Sequence, residues 1–345
     1  MVVIVEAGVL TLFISFLLAH AFWVKRTSTR NESLLGRARE TLAKALSAPG
    51  SVDATNQGLA ALRALPAGLQ VRLLIGLARS LAGTQKLTVT ELALRAGLVA
   101  RAERRLGSRL WWRRLHAARL LTVLGSGEES MPRLMRDPHP AVRAQAGEWA
   151  GDHPTAELIP SLLGLLTDPA KRCRFTAENS LLRMGGLAVR ALVDYLSSHA
   201  GVDVEAAMVV AAGLAEPRFV GPALRLCRDP IPETRALAAG LLGQLGGAEA
   251  VAVLRELMGD SDSGVRAAAA RALGKLNHWP AAPVLARALR DRAWDVRREA
   301  GLALRALGSP GILLLRHWLS DEDAFASDMA RQVLDMPESA AARSM

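Results

Sequence analysis

One phrase recurs along this sequence: a leucine-rich helix, an aspartate turn, then a helix opened by Val-Arg, rich in alanine and closed by glycine. It is plainest at Asp229 to Gly246, Asp260 to Asn277 and Asp291 to Gly308. The turn aspartates stand at Asp137, Asp168, Asp229, Asp260, Asp291 and Asp321, with His199 where the missing one would fall. The steps between them are 31, 31, 30, 31, 31 and 30 residues. So regular a period specifies stacked units, each burying its apolar face against its neighbours only. The expected architecture is all-α, a right-handed solenoid of helix pairs preceded by one N-terminal transmembrane helix.

Val2 to Val24 carries that membrane expectation. The 23 residues are apolar apart from Glu6, Thr11, Ser15 and His20. As a helix they reach roughly 35 Å, enough for a hydrocarbon core of about 30 Å. Glu6 and His20 lie near the two ends, where polar side chains reach headgroups. Phe22 and Trp23 mark the far boundary, followed by Lys25, Arg26 and Arg30. No basic residue precedes the apolar run, so the positive-inside rule puts the N-terminus outside and the remainder in the cytoplasm. The predicted placement is the inner (cytoplasmic) membrane, single-pass. A cleaved signal peptide is the rival reading, since Ala19-His20-Ala21 fits a small-x-small site. The missing basic start and the length of the run favour an anchor.

Charge divides the chain. From Lys25 to Ala150 there are 21 Lys and Arg against 9 Asp and Glu, whereas from Gly151 onward 22 face 23. The repeat pattern separates a degenerate part, 26–130, from a regular array, 131–335, before a tail, 336–345. In the degenerate part the pattern predicts helices over Asn31 to Ser47 and Asp53 to Leu65. The Val71-Arg72 pair opens a segment closing at Gly83. One additional helix is expected over Thr88 to Leu106, capped by Thr88 or Thr90. In the array Pro160, Pro222 and Pro283 suit early helix positions, and Pro140 and Pro232 the first residue of the second helix. Asp262 and Asp295 are N-cap candidates, and Gly185, Gly246 and Gly308 are left-handed closures.

The pattern resembles the HEAT family, within it the short bacterial type called phycobilisome-lyase-like, or E-Z type. The residues carrying the likeness are Asp260-Ser-Asp-Ser-Gly-Val-Arg-Ala-Ala-Ala-Ala-Arg-Ala-Leu-Gly274 and their counterparts at Asp229 and Asp291. The resemblance covers roughly Pro66 to Leu334. It implies HEAT-like helix pairs and a ladder joining each turn Asp to a second-helix Arg. On that likeness Arg143, Arg174, Arg235, Arg266 and Arg297 are structural. The unit at His199 departs, with Val202-Asp203-Val204-Glu205 placing an acidic residue where its neighbours carry Arg. Drift, a break in curvature and a binding position all fit that departure.

Familiar catalytic arrangements are missing from the sequence. The seven histidines show no HExxH, no phosphate loop is formed, and Asp260-x-Asp262-x-Gly264 meets Arg271 where a calcium loop needs Glu. Cys173 and Cys227 have no metal-ligand spacing and read as small buried hydrophobes. No catalytic residue, metal site or cofactor is expected, and the protein is read as non-enzymatic.

The concentrated feature is Arg101, Arg104, Arg105, Arg109, Arg113, Arg114 and Arg119 around Trp111 and Trp112. It suits anionic lipid headgroups or a membrane partner, and by composition also nucleic-acid phosphates. A solvated arginine face with tryptophan in the core is the plain alternative. Counting two, five and nine residues past each ladder Arg gives a concave lining. It includes Gln145, Glu148 and Asp152, then Thr176, Asn179 and Arg183, then Leu237, Gly240 and Gln244, then Ala268, Arg271 and Lys275. Trp279 and Trp294 are candidate rim anchors, with packing inside the array as the alternative. The function expected is a membrane-tethered scaffold whose cytoplasmic solenoid docks a protein partner, itself membrane-embedded. An accessory subunit of a membrane glycosyltransferase or envelope polysaccharide system is a narrower form. The alternatives are a phycobilin-lyase-like enzyme and a nucleic-acid-binding protein using the basic half.

Overall fold

The computed structural model describes residues 29–48, 51–80 and 83–337. The apolar stretch Val2 to Val24 and most of the tail lie outside them. Among the described residues no helix is long and apolar enough to cross a membrane, and every regular element is helical. The chain divides into two compact units between Trp149 and Ala150.

The first unit contains α1 (29–47), α2 (Val52–Ala64), α3 (Ala67–Ser80), α4 (Gly83–Arg95), α5 (Leu98–Leu106) and α6 (Trp111–Leu124). A single-turn 3-10 segment, Pro132–Arg136, then leads to α7 (Pro140–Asp152), in which the boundary falls. Leu35, Ala38 and Leu42 of α1 close a core with Leu65, Leu69, Leu73 and Leu92. The helix expected over Thr88 to Leu106 is in fact two. Gly97, at φ 69°, turns the chain between α4 and α5, a backbone state that glycine adopts without steric cost. Thr88 and Thr90 are consequently interior to α4 rather than caps, their hydroxyls donating to Thr84 O and Lys86 O.

The second unit is an α-solenoid of helix pairs. Its elements are α8 (Ile159–Leu166), α9 (Lys171–Met184), α10 (Gly186–Ser198), α11 (Glu205–Leu214), α12 (Val220–Leu226) and α13 (Pro232–Leu245). They continue as α14 (Ala248–Leu257), α15 (Ser263–Lys275), α16 (Ala282–Arg287), α17 (Trp294–Ala306), α18 (Ser309–Trp318) and α19 (Ala324–Asp335). The odd-numbered helices from α9 to α19 pack side by side, and all but α11, which follows the His199 turn, come after an aspartate turn. Where they approach most closely the residues are small. A Cβ on Gly243 of α13 would lie 2.7 Å from Ala272 Cβ of α15, and one on Gly274 the same distance from Ala303 Cβ of α17. Both pairs sit one 31-residue period apart.

Each turn aspartate does the same work. The carboxylate of Asp137 accepts His139 N–H at 2.9 Å, Asp168 accepts Ala170 N–H at 2.9 Å and Asp229 accepts Ile231 N–H at 2.9 Å. Asp260, Asp291 and Asp321 accept Asp262, Ala293 and Asp323 N–H at 2.8, 2.9 and 2.9 Å. A short acidic side chain is well suited to reach its own backbone two residues on, and the regular spacing of this residue follows from that turn. Asp262 caps α15 through Val265 N–H at 3.1 Å. Asp295 does not cap α17, because the helix already begins at Trp294 and Ala293 takes the N-cap position. The left-handed closures expected at Gly185, Gly246 and Gly308 are met in φ only: their ψ angles of −129°, −165° and −148° lie outside the left-handed helical region, which Ala215 occupies at φ 51° and ψ 37°.

Candidate functional site

The arginine ladder sits on these turns. Arg143, Arg174, Arg235, Arg266 and Arg297 each donate through Nη1 to the carbonyl of the aspartate six residues before, at 2.6 to 2.8 Å. Arg235 then forks onto Asp260 at 2.8 and 2.8 Å, and Arg266 onto Asp291 at 2.7 and 2.8 Å. Parallel paired bonds of this kind are the strong, geometrically specific form of the ion pair. They pull Asp260 below its ordinary range through the Arg235 hydrogen bonds. For Asp291 burial acts upward, but the Arg266 bonds and the Ala293 N–H outweigh it and the net direction is down.

Two departures correct the sequence reading. Arg114 is not part of the open arginine surface: it forks onto Asp137 at 2.7 and 2.7 Å and donates to Ser108 O, six residues before it. It is a ladder arginine whose turn aspartate has become serine. Arg297 ends the ladder differently. Its guanidinium lies 5.0 Å from the Phe325 ring and its buried Nε has no hydrogen-bond partner, while Asp321 is held by Arg290 at 2.7 Å. At the His199 unit, Asp229 accepts Gly201 N–H at 2.9 Å, so a backbone amide takes the place that an arginine has elsewhere.

The remaining arginines gather on α5 and α6. Leu98, Val99, Ala102 and Leu106 bury one face of α5, leaving Arg104 and Arg105 exposed on the other. With Ser108, Trp112, Arg113 and His116 they line a cavity of about 490 Å³. A second cavity of about 280 Å³ lies beside Arg101, Arg105 and His116, walled by Val71, Leu98 and Leu120 among others. Arg101 donates to Gln70 at 3.4 Å. Trp111 stacks on His139 with centroids 3.8 Å apart and planes at 4°. Both tryptophans are substantially exposed, at 40% and 45%, so neither is a core residue. Arg109 and Arg119 line neither cavity.

In the second unit the predicted lining of two repeats converges. Leu237, Gly240, Gln244, Ala268, Arg271 and Lys275 all border one groove of about 310 Å³ across α11, α13 and α15. Val209 and Leu237 are exposed in it, at 50% and 39%. Arg271 Nε donates to buried Glu299 at 3.0 Å, and Arg298 to the same carboxylate at 2.7 Å. Asn179 and Arg183 lie outside this groove. Arg183 pairs with Asp152 at 2.5 Å, and Asn179 donates to Phe175 O. In the first unit Gln145 is a correction: it is buried and donates to Thr122 Oγ1 at 3.2 Å and Glu148 at 3.1 Å. Only Glu148 of that pair is exposed.

Both cysteines are buried and neither is in a disulfide, and burial pushes the Cys227 thiol up to about 12. Among the described residues no group of His, Cys, Asp and Glu is arranged to hold a metal ion. Trp279 and Trp294 are half-exposed rather than packed inside, and Arg298 lies 5.8 Å from the Trp294 ring. Phe175 and Phe325, each 66% exposed, were not legible as surface residues in the repeat pattern.

Comparison with known proteins finds one family of repeats. The profile described as HEAT repeats matches residues 127–212, 189–274, 219–305 and 257–335. No curated protein matches the sequence. Solved structures that match include an engineered protein, with 19% identity over 86% of this chain and 98% of that one, TM-score 0.37. The YibA protein of Escherichia coli matches at 19% identity over 69% and 94%, TM-score 0.42. The complex of CpcE and CpcF of phycocyanin lyase from Nostoc matches at 19% identity over 69% and 93%, TM-score 0.32.

Proposed function

We propose that this chain, which belongs to the HEAT-repeat family, is a non-enzymatic scaffold that docks a segment of a protein partner in the groove across α11, α13 and α15. The groove carries the reading. Its lining is apolar at Val209, Leu237 and Ala268 and cationic at Arg271 and Lys275. Glu299 offsets part of that charge, because two arginines share its one carboxylate. The complement is a segment with apolar side chains along one face and an acidic group beside them. Exposed apolar side chains beside a few placed polar groups are the usual make-up of a docking site.

The N-terminal apolar stretch extends the proposal. It ties the scaffold to the inner membrane with the repeats in the cytoplasm, and it makes a membrane-embedded partner the natural occupant. An accessory subunit of a membrane glycosyltransferase or envelope polysaccharide system is the narrower form. Buried thiols and a Tyr195 ring stacked on His199 at 4.0 Å leave little for bilin-lyase chemistry to use.

A photo-crosslinking residue at Leu237 in full-length protein, in native membranes, tests the docking site. One membrane protein should be crosslinked, and Lys275→Glu should abolish the product. A product that survives Lys275→Glu, or none at all, overturns the groove. Release of the full-length chain by carbonate washing overturns the tether independently.

A further inference from the structure

The two cavities of the first unit form a head-and-tail pair. In the larger, Arg104, Arg105 and Arg113 face one space with Ser108, Trp112 and His116, and no carboxylate lines it. Among the described residues none of these three arginines is in an ion pair, unlike Arg114, the neighbour of Arg113 on α6, which Asp137 neutralises. Three uncompensated guanidinium forks around one space repel one another until an anion enters. Their planar donors match the oxygens of a phosphate group. The smaller cavity shares Arg105 and His116 with the larger and adds Arg101, which donates to Gln70 at 3.4 Å; the rest of its wall is apolar, with Val71, Leu98 and Leu120 in it. A free phosphate has no use for that slot, and a nucleic-acid strand needs its cationic track to continue rather than to end in an apolar one.

We propose that this pair of cavities is a binding site for an anionic phospholipid, with the phosphate among Arg104, Arg105 and Arg113 and an acyl chain along Val71, Leu98 and Leu120. The half-exposed Trp112 at the mouth is the side chain suited to the boundary between headgroup and chain. The site is independent of whatever occupies the groove of the second unit, so the two proposals fail separately.

Full-length protein in a neutral non-ionic detergent is titrated with dihexanoyl phosphatidylglycerol, dihexanoyl phosphatidylcholine, inorganic phosphate and a dT oligonucleotide. The glycerol lipid should bind about tenfold or more tighter than the others. The double variant Arg104→Gln/Arg113→Gln should lose that preference, and Arg109→Gln, outside both cavities, should keep it. Gly68→Leu places a side chain in the smaller cavity, where a Cβ meets nothing within 4 Å. It should weaken the lipid and leave inorganic phosphate unchanged, with an unaltered helical circular dichroism spectrum. Equal binding of the choline lipid overturns the site, as does full affinity in the double variant. Phosphate binding as tight as the lipid makes it an anion site only. Tightest binding of the oligonucleotide, indifferent to Gly68→Leu, makes it a nucleic-acid surface.

Discussion

Arg266 holds Asp291 of the following unit with two hydrogen bonds of 2.7 and 2.8 Å, while its third nitrogen returns to the carbonyl of Asp260 at the head of its own unit. One side chain thus fixes both the turn before its helix and the spacing to the next repeat. Both partners are largely buried, with 17% and 14% of their side chains exposed.

Arg266→Met keeps the aliphatic stem and removes the fork, leaving Asp291 charged and partly buried. The expected loss of stability is about 2–4 kcal/mol, since a desolvated charge without its partner costs more than the pair gains. Arg297→Met should cost less, because Arg297 holds no carboxylate of the next unit and already leaves its Nε unpaired. Urea unfolding of the two variants measures the difference. Equal losses would mean that the inter-unit fork contributes nothing beyond the carbonyl bond.

The forks also set an acid limit. Asp260 is held down chiefly by Arg235. For Asp137 burial pushes up, but Arg114 and the His139 N–H prevail. These folded-state values lie below the unfolded value of about 3.9. Stability from them is therefore complete at neutral pH and declines as pH falls through the folded values, because the unfolded chain then binds more protons. Urea midpoints between pH 7 and pH 3 should drop mainly below about pH 4. Asp260→Asn should flatten that drop while lowering the midpoint at pH 7.

Packing between second helices is the least tolerant feature. A methyl group on Gly243 or Gly274 meets Ala272 or Ala303 Cβ at 2.7 Å, with the backbone Cα of each at 2.8 Å. No flexible side chain can move aside, so Gly243→Ala and Gly274→Ala should each destabilise by about 1–3 kcal/mol. The helix-propensity gain of about 1 kcal/mol works against this, so Gly240→Ala, with nothing within 4 Å, should stabilise instead. Calorimetric melting of the three variants checks the sign.

The repeat made the second unit legible, because each turn needs the same Asp reaching two residues on and the same Arg reaching six back. Where a partner changed, the reading failed for a local reason. Arg114 was lost among its arginine neighbours because Ser108 replaces the aspartate that would have marked it. Arg290 could not be anticipated, since its grip on Asp321 has no counterpart in earlier units. Gln145 follows the same count as Leu237, yet Thr122 supplies a hydroxyl that draws its amide inside. The break between α4 and α5 was readable in principle from Ala96-Gly97 within an otherwise helical run. The arginine cavity required three-dimensional packing of α5 on α6, which no spacing rule in the sequence specifies.

The closing positions of successive units offer the sharpest test of backbone strain. Residues 215, 246, 277 and 308 are one period apart and all have positive φ, yet they are Ala, Gly, Asn and Gly. Ala215, at φ 51° and ψ 37°, accepts a left-handed conformation to let its N–H donate to Ala211 O at 3.0 Å. For a residue with a Cβ that conformation costs roughly 1–2 kcal/mol. Ala215 is exposed, so removing its methyl group sacrifices little packing, and the unfolded-chain entropy of glycine returns only about 0.4–1 kcal/mol of the gain. Ala215→Gly should therefore stabilise by about 0.5–1 kcal/mol. Asn277→Gly should change less, because asparagine tolerates the left-handed region better than alanine. A urea midpoint that falls for Ala215→Gly would show that the chain leaves the left-handed state at this position in solution.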